Sequence, residues 1–213
     1  MNVPRPSRYG EEDLLKILWR EVFGDSDQYI DTFFQAVYEP GMASVIYEDE
    51  KIVAAAYAIP FGSAQYIYAV STLPDYRGHG YGKAVTLAAA EGKPAYLCPA
   101  SAGLRCWYAL SMNAKTVSYR AAIRRPAFLS KITADEYCAR REDWLHDVPH
   151  AQYSPGILKL FSVTGKFYCG DHGDIYAIDG GIVCEAIPSP VGEEPFIMGL
   201  NGAKPIYWGI ALE

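Results

Sequence analysis

The stretch QYIYAVSTLPDYRGHGYGKAVTLAAAE, from Gln65 to Glu91, decides how the chain is read. It opens with Tyr66-Ile67-Tyr68-Ala69-Val70, aromatic and β-branched residues that predict a strand. It closes with the alanine-rich run Lys83 to Glu91, which has high helix propensity. Between them lies Arg77-Gly78-His79-Gly80-Tyr81-Gly82, with glycine at alternate positions. Strand, glycine loop and helix in that order leave free backbone N–H groups at a helix N-terminus, where a phosphate can be held. Glycine puts no Cβ in the way of a pyrophosphate and tolerates positive φ. Arg77 adds a cation beside the loop.

The spacing excludes two common phosphate binders. A dinucleotide fold requires G-x-G-x-x-G, and the loop reads G-x-G-x-G. A P-loop ending at Gly82-Lys83 would need glycine where Arg77 stands, and a hydroxyl where Ala84 stands. What remains is R-G-x-G-x-G after Thr72-x-Pro74-x-Tyr76. This resembles the acetyl-CoA signature of the GNAT superfamily of N-acetyltransferases, Q/R-x-x-G-x-G/A, with Arg77, Gly80 and Gly82 on its fixed positions.

The resemblance implies an α+β fold with a mixed sheet, acetyl-CoA as co-substrate, and direct acetyl transfer to a primary amine. It places acyl-CoA on Val70, Ser71 and Thr72 and on the loop Arg77, Gly78, His79, Gly80, Tyr81 and Gly82. The strand Val70–Thr72 is then expected to splay from its neighbour, freeing backbone groups for pantetheine and the thioester carbonyl. The His79 side chain, at the variable position of the loop, is expected to point to solvent and receives no role.

The rest of the N-terminal part fits that order. Residues 11–22 (EEDLLKILWREV) place Leu14, Leu15, Leu18, Trp19 and Val22 at helical spacings, and Gly24 ends the helix. Asp25, three before Gln28, suggests a capping box for a second helix from Ser26 to Tyr38. Two strands, Ala43–Tyr47 and Ile52–Ile59, flank the turn Glu48-Asp49-Glu50, and Pro60–Ala64 reads as a loop. The first strand of a GNAT domain would fall in residues 1–9, where two prolines make it poor.

Beyond the glycine-loop helix, Ala95–Cys98 reads as a strand, Leu104 to Leu110 as a helix and Val117–Ile123 as a further strand. Leu104 and Tyr108 follow Pro99-Ala100 in the P-A-x-x-x-L-x-x-x-Y pattern of GNAT members, whose tyrosine sits near the CoA sulfur. Tyr108 is thereby the implied catalytic residue, and a shift by one would put Trp107 there instead. The Leu-Gly-Phe phrase that normally follows is absent, since the chain continues Ala109-Leu110-Ser111-Met112. No general base stands out: Glu39, Glu48, Asp75 and Glu213 are candidates, each equally readable as a solvated surface acid.

The resemblance covers residues 10–125, giving an expected division into a GNAT-like domain, 1–125, and a second unit, 126–213. Thr133-Ala134-Asp135-Glu136 has capping-box spacing and opens a helix to about His146. Short β-like runs follow: Ile157–Val163, Lys166–Cys169, Asp174–Ile178, Ile182–Ile187, Phe196–Leu200 and Ile206–Leu212. They describe a β-meander that resembles a degenerate second GNAT-like half without a glycine loop. A groove between the halves, with Tyr207 and Trp208, is the expected acceptor site.

The 213 residues carry a net charge of −6, and residues 126–213 hold all of that excess. No basic stripe points to nucleic acid or an anionic membrane. No apolar run is long enough to span a bilayer and no secretory leader is apparent, so a cytoplasmic protein is expected. Five cysteines without metal-ligand spacing read as reduced thiols in or near the core, and no metal is expected. The oligomeric state is open, a homodimer included. Two rival classes survive: a non-catalytic acyl-CoA sensor or regulator, and a structural subunit whose glycine loop is only a turn.

Overall fold

The structure, a computed structural model, describes residues 3–61, 64–116, 127–146, 165–171, 173–179, 182–187 and 198–202. It is α+β, with a seven-stranded mixed sheet and a smaller four-stranded antiparallel sheet. The elements run β1 (Arg5–Pro6), α1 (Glu12–Phe23), α2 (Asp27–Ala36), β2 (Ala43–Glu48), β3 (Lys51–Phe61), β4 (Ala64–Thr72), α3 (Tyr81–Ala90), β5 (Ala95–Leu97), α4 (Ala102–Met112) and β6 (Lys115–Thr116). Then come β7 (Leu129–Ile132), α5 (Ala134–Leu145), β8 (Gly165–Gly170), β9 (Ile175–Asp179), β10 (Ile182–Ile187) and β11 (Met198–Leu200).

The first sheet is ordered β1-β2-β3-β4-β5-β11-β6. β3 is covered on both faces: Ala54, Ala55 and Ala56 are completely buried. Period-2 alternation sends Ala54, Ala56 and Ala58 to the face shared with α3. Their small side chains let α3, itself rich in alanine, lie close to the sheet. The opposite face receives Tyr57, which packs against Trp19 of α1 and Phe33 of α2 at ring-centroid distances of 5.4 and 5.3 Å. Trp19 also meets Phe23, Tyr29, Phe34 and Tyr68, making it the hub of this half of the core.

The prolines of residues 1–9 do not prevent a first strand. β1 is two residues long and lies at the sheet edge against β2, where Pro6 has no second neighbour to bond. Arg5 fixes it to the start of α1 through a two-pronged contact with Glu11, at 3.0 and 2.5 Å. That pairing holds the Glu11 carboxyl below its ordinary range.

Several local readings need correction. Asp25 does not cap α2. Ser26 does, its hydroxyl accepting from Tyr29 N–H, while Asp25 accepts from the Trp19 indole. Within the expected loop Pro60–Ala64, Pro60 and Phe61 belong to β3 and Ala64 to β4, since Pro60 pairs with Gln65 and Phe61 with Ala64. Thr133 caps α5 as expected, but Glu136 turns to Arg140 at 2.6 Å instead of completing a capping box. Cys106 is exposed, whereas Cys98, Cys138 and Cys169 are half-buried and Cys138 packs against the core of the second sheet.

In the second sheet β7, β8, β9 and β10 are successive antiparallel neighbours, a meander backed by α5 over Tyr137, Leu145, Phe167 and Ile175. β7 had no counterpart in the sequence reading. β11 does not belong to this meander: it pairs with β5 and β6 in the first sheet, crossing the expected division at 125/126. The runs Val117–Ile123, Ile157–Val163 and Ile206–Leu212 lie outside the described residues, as do Tyr207, Trp208 and Glu213.

Phe33 is fully buried between Trp19 and Tyr57. Phe33→Ala is expected to lower unfolding free energy by about 3–5 kcal/mol in urea titration. A loss below about 1 kcal/mol would contradict the placement of the core.

Candidate functional site

The glycine loop is a cradle built from backbone. After β4, Pro74–Tyr76 form a single 3-10 turn, then Gly78 and Gly80 take φ of +83° and +81°. Such angles strain any residue with a Cβ, which is why glycine stands at these two positions. Gly80 is the N-cap of α3 and no side chain caps the helix. The first-turn N–H groups therefore have neither intrahelical nor side-chain acceptors, and the helix dipole adds partial positive charge. Residues 77–80 are exposed. Arg77 folds back to donate from Nε to the Thr72 carbonyl at 3.2 Å, keeping its guanidinium beside the loop. His79 is exposed with Nδ1 3.3 Å from the Tyr76 carbonyl.

The sheet opens next to this cradle. β4 and β5 are parallel, and their pairing covers only Gln65↔Ala95 and Tyr66↔Tyr96. From Ile67 onward the β5-facing side of β4 has no β5 partner in the register. On its other side β4 carries a bulge. Tyr68 pairs with Tyr57 and Ser71 with Ala55, so Ala69 and Val70 together oppose Ala56 alone. Ala69 takes φ +47°, uncommon for a residue with a Cβ. The divergence expected at Val70–Thr72 thus begins earlier, at Ile67. Ser71 is buried, with its hydroxyl 3.4 Å from the Ala55 carbonyl. The Thr72 hydroxyl lies beside Gly82, 3.4 Å from where a Cβ would be.

The opening leads into a cleft of about 610 Å³ between the β4–β5 gap, the start of α4 and the α1–α2 turn. Its lining includes Val70, Leu97, Pro99, Leu104 and Tyr108 together with Trp19, Phe23, Asp25, Tyr29, Tyr66 and Tyr68. Ser101 caps α4 by accepting from Leu104 N–H, which turns Tyr108 toward the sheet. Tyr108 is buried, and burial pushes its hydroxyl well above the usual phenol range. No hydrogen bond to that hydroxyl is found among the described residues. Its neighbour Trp107 takes a different direction, with its ring edge 3.7 Å from the Cβ position of Gly82. Trp107 is thus beside the cradle and Tyr108 in the cleft.

The candidate bases fall elsewhere. Glu39 lines a separate, smaller cavity of about 280 Å³ with Arg5, Gln65 and Glu91. Glu48 accepts a short hydrogen bond from the Tyr81 hydroxyl, raising that phenol's pKa. Asp75 is exposed on the 3-10 turn. The one carboxylate among the described cleft residues is Asp25, which sequence reasoning treated as a helix cap. Its only sequence signal was its position after the helix-ending Gly24. Among the described residues no group of three or more His, Cys, Asp or Glu could hold a metal, and no helix is long and apolar enough to cross a membrane.

Comparison with known proteins agrees with this geometry. Solved structures with similar folds include a presumed acetyltransferase of Pyrococcus horikoshii, 10% identical, TM-score 0.59, covering 86% of this chain and 70% of the other. A GCN5-related N-acetyltransferase from Kribbella flavida is 14% identical with TM-score 0.55, covering 90% and 57% respectively. One from Anabaena variabilis is 14% identical with TM-score 0.53, covering 87% and 53%. The chain thus spans little more than half the length of the last two. No curated protein matches in sequence. The family model described as "Acetyltransferase (GNAT) domain" matches residues 4–91, from β1 through the end of α3. Residues 4–91 are thus similar to a GNAT acetyltransferase domain, a family whose members use acyl-CoA.

Proposed function

We propose that the protein transfers an acetyl group from acetyl-CoA directly to a primary amine. The observation that carries this reading is the open edge of β4 beyond Tyr66, which shares a cleft with Tyr108 and runs on toward the loop that leads to the uncapped α3 N-terminus. The residues fit the co-substrate. Backbone N–H groups of residues 78–83, with Arg77, suit a diphosphate. The free edge of β4 at Val70 to Thr72 suits the amide-bearing pantetheine arm, which pairs as a short strand would.

Acetyl-CoA supplies the thioester: the amine nitrogen bonds to its carbonyl carbon, the carbon–sulfur bond breaks, and sulfur leaves with the bonding pair. The chain's contributions are positioning and charge stabilisation. Backbone N–H groups freed at the Ala69–Val70 bulge are aimed where the carbonyl oxygen gains charge. Tyr108 stays protonated because burial holds its pKa high, so it donates a hydrogen bond to the departing thiolate. A thiol is the stronger acid, with an ordinary pKa of about 8.5, so this donation stops short of full proton transfer. The proton lost by the attacking nitrogen passes through water to the departing sulfur, so a neutral amide and a free thiol are the products. Holding both reactants in one cleft provides much of the remaining acceleration.

Two glycine variants test the cradle by calorimetry with acetyl-CoA. A Cβ at Gly82 meets only ordinary contacts, and alanine is the better helix former, so Gly82→Ala should keep or slightly raise thermal stability. The signature admits alanine at this position, and the added Cβ faces Thr72 and Trp107, so acetyl-CoA binding should be kept as well. Gly80→Ala should lose both binding and about 1–2 kcal/mol of stability, because its φ is positive. Unchanged binding in Gly80→Ala would remove the cradle from the account. In a thiol-release assay, Tyr108→Phe should lower kcat by about 10- to 100-fold with little change in KM; full activity would exclude the tyrosine.

A further inference from the structure

The aromatic part of the cleft has its own chemistry. Its described rings include Trp19, Phe23, Tyr29, Tyr66 and Tyr68. Burial drives the hydroxyls of Tyr66 and Tyr68 well above the phenol range, so both stay neutral. Tyr29 and Tyr68 share a hydrogen bond of 2.7 Å. In this setting the described lining contains a single formal charge, the carboxylate of Asp25.

Asp25 is held in place without being neutralised. It sits between the left-handed Gly24 that ends α1 and the Ser26 that caps α2. One oxygen, Oδ2, accepts from the Trp19 indole N–H at 2.7 Å, and Trp19 is fixed at the centre of the core. The other oxygen is left for a ligand. The basic residues of α1 are occupied elsewhere: Arg20 pairs with Asp27 and Lys16 with Asp31, both at 2.6 Å. Among the described residues no basic side chain pairs with Asp25. A pinned carboxylate at the mouth of an aromatic cleft is a site for an organic cation, which gains both ion pairing and attraction to ring faces.

Attack on a thioester needs a lone pair, whereas a nitrogen held by a carboxylate is favoured in its protonated form. An acceptor with two nitrogens meets both demands at once, with one ammonium at the carboxylate and a second amine free to attack. Resting on the acyl-transfer reading above, we propose that Asp25 anchors the distal ammonium of a small aliphatic diamine or polyamine, while its other amine reaches the β4 bulge and Tyr108. Asp25 is a specificity-determining residue in this scheme, not the general base.

Calorimetry in the presence of coenzyme A tests the anchor with putrescine and cadaverine against n-butylamine and n-pentylamine. Wild-type protein should bind each diamine about tenfold more tightly than the monoamine of equal length. Asp25→Asn keeps an acceptor for the Trp19 N–H and should abolish the difference; Asp25→Glu should recover part of it. Equal affinity for diamine and monoamine, no heat from either, or a preference that survives in Asp25→Asn would each overturn the anchor. Acetyl-CoA titrated into the same proteins reports separately on the acyl-transfer reading. Silence there with the diamine preference intact would remove that reading and leave the cation site standing; normal acetyl-CoA binding without the preference would remove the anchor alone.

Discussion

The site depends on an interruption of the sheet. A parallel pair normally continues its ladder as far as both strands extend, yet β4 and β5 share only two register positions before separating. Beyond Tyr66, β4 has backbone groups facing a gap, and unpaired backbone is stable only where solvent or a ligand can reach it. The bulge at Ala69 and Val70 increases the local twist and re-aims the strand just before the glycine loop. Ala69 keeps a positive φ there at a cost of about 1–3 kcal/mol, which the surrounding sheet has to support.

That support comes from the paired side of β4 and from the core beneath it. β3, buried on both faces, holds β4 through a ladder from Phe61↔Ala64 to Ala54↔Thr72. On one face alanines bring α3 close, so that its N-terminus emerges at the end of β4. On the other face Trp19 gathers rings from α1, α2, β3 and β4, including Tyr68 from the strand that bulges. The same indole reaches Asp25. One residue thus connects the packing of the core to the orientation of the charge at the cleft mouth.

Legibility in the sequence followed how local each requirement is. The cradle was readable because positive φ at residues 78 and 80 demands glycine, and composition records that demand directly. Hairpin β2–β3 was readable for a similar reason, with polar Asp49 and Glu50 taking positive φ in its turn. The bulge was anticipated only as a consequence of family resemblance, and it overlaps the expected Val70–Thr72 only at Val70, since alanine at position 69 gives no sign of an unusual backbone angle. Asp25 was misread because aspartate before a helix is ordinarily a cap; Ser26 took that role, and the indole that claims Asp25 comes from a residue six positions earlier. β11 was read within the run Phe196–Leu200 but without its partners β5 and β6, and the four-residue β7 was missed, since short strands exist because of partners that a single sequence does not display.

All of this turns on where coenzyme A sits. A crystal structure of the protein with coenzyme A is the most direct measurement. The account expects diphosphate oxygens within about 2.7–3.2 Å of backbone N–H groups between Gly78 and Lys83, with the pantetheine arm along the open edge of β4 and its sulfur near the Tyr108 hydroxyl. Coenzyme A bound away from the α3 N-terminus, or the β4–β5 gap closed with the ligand elsewhere, would contradict it.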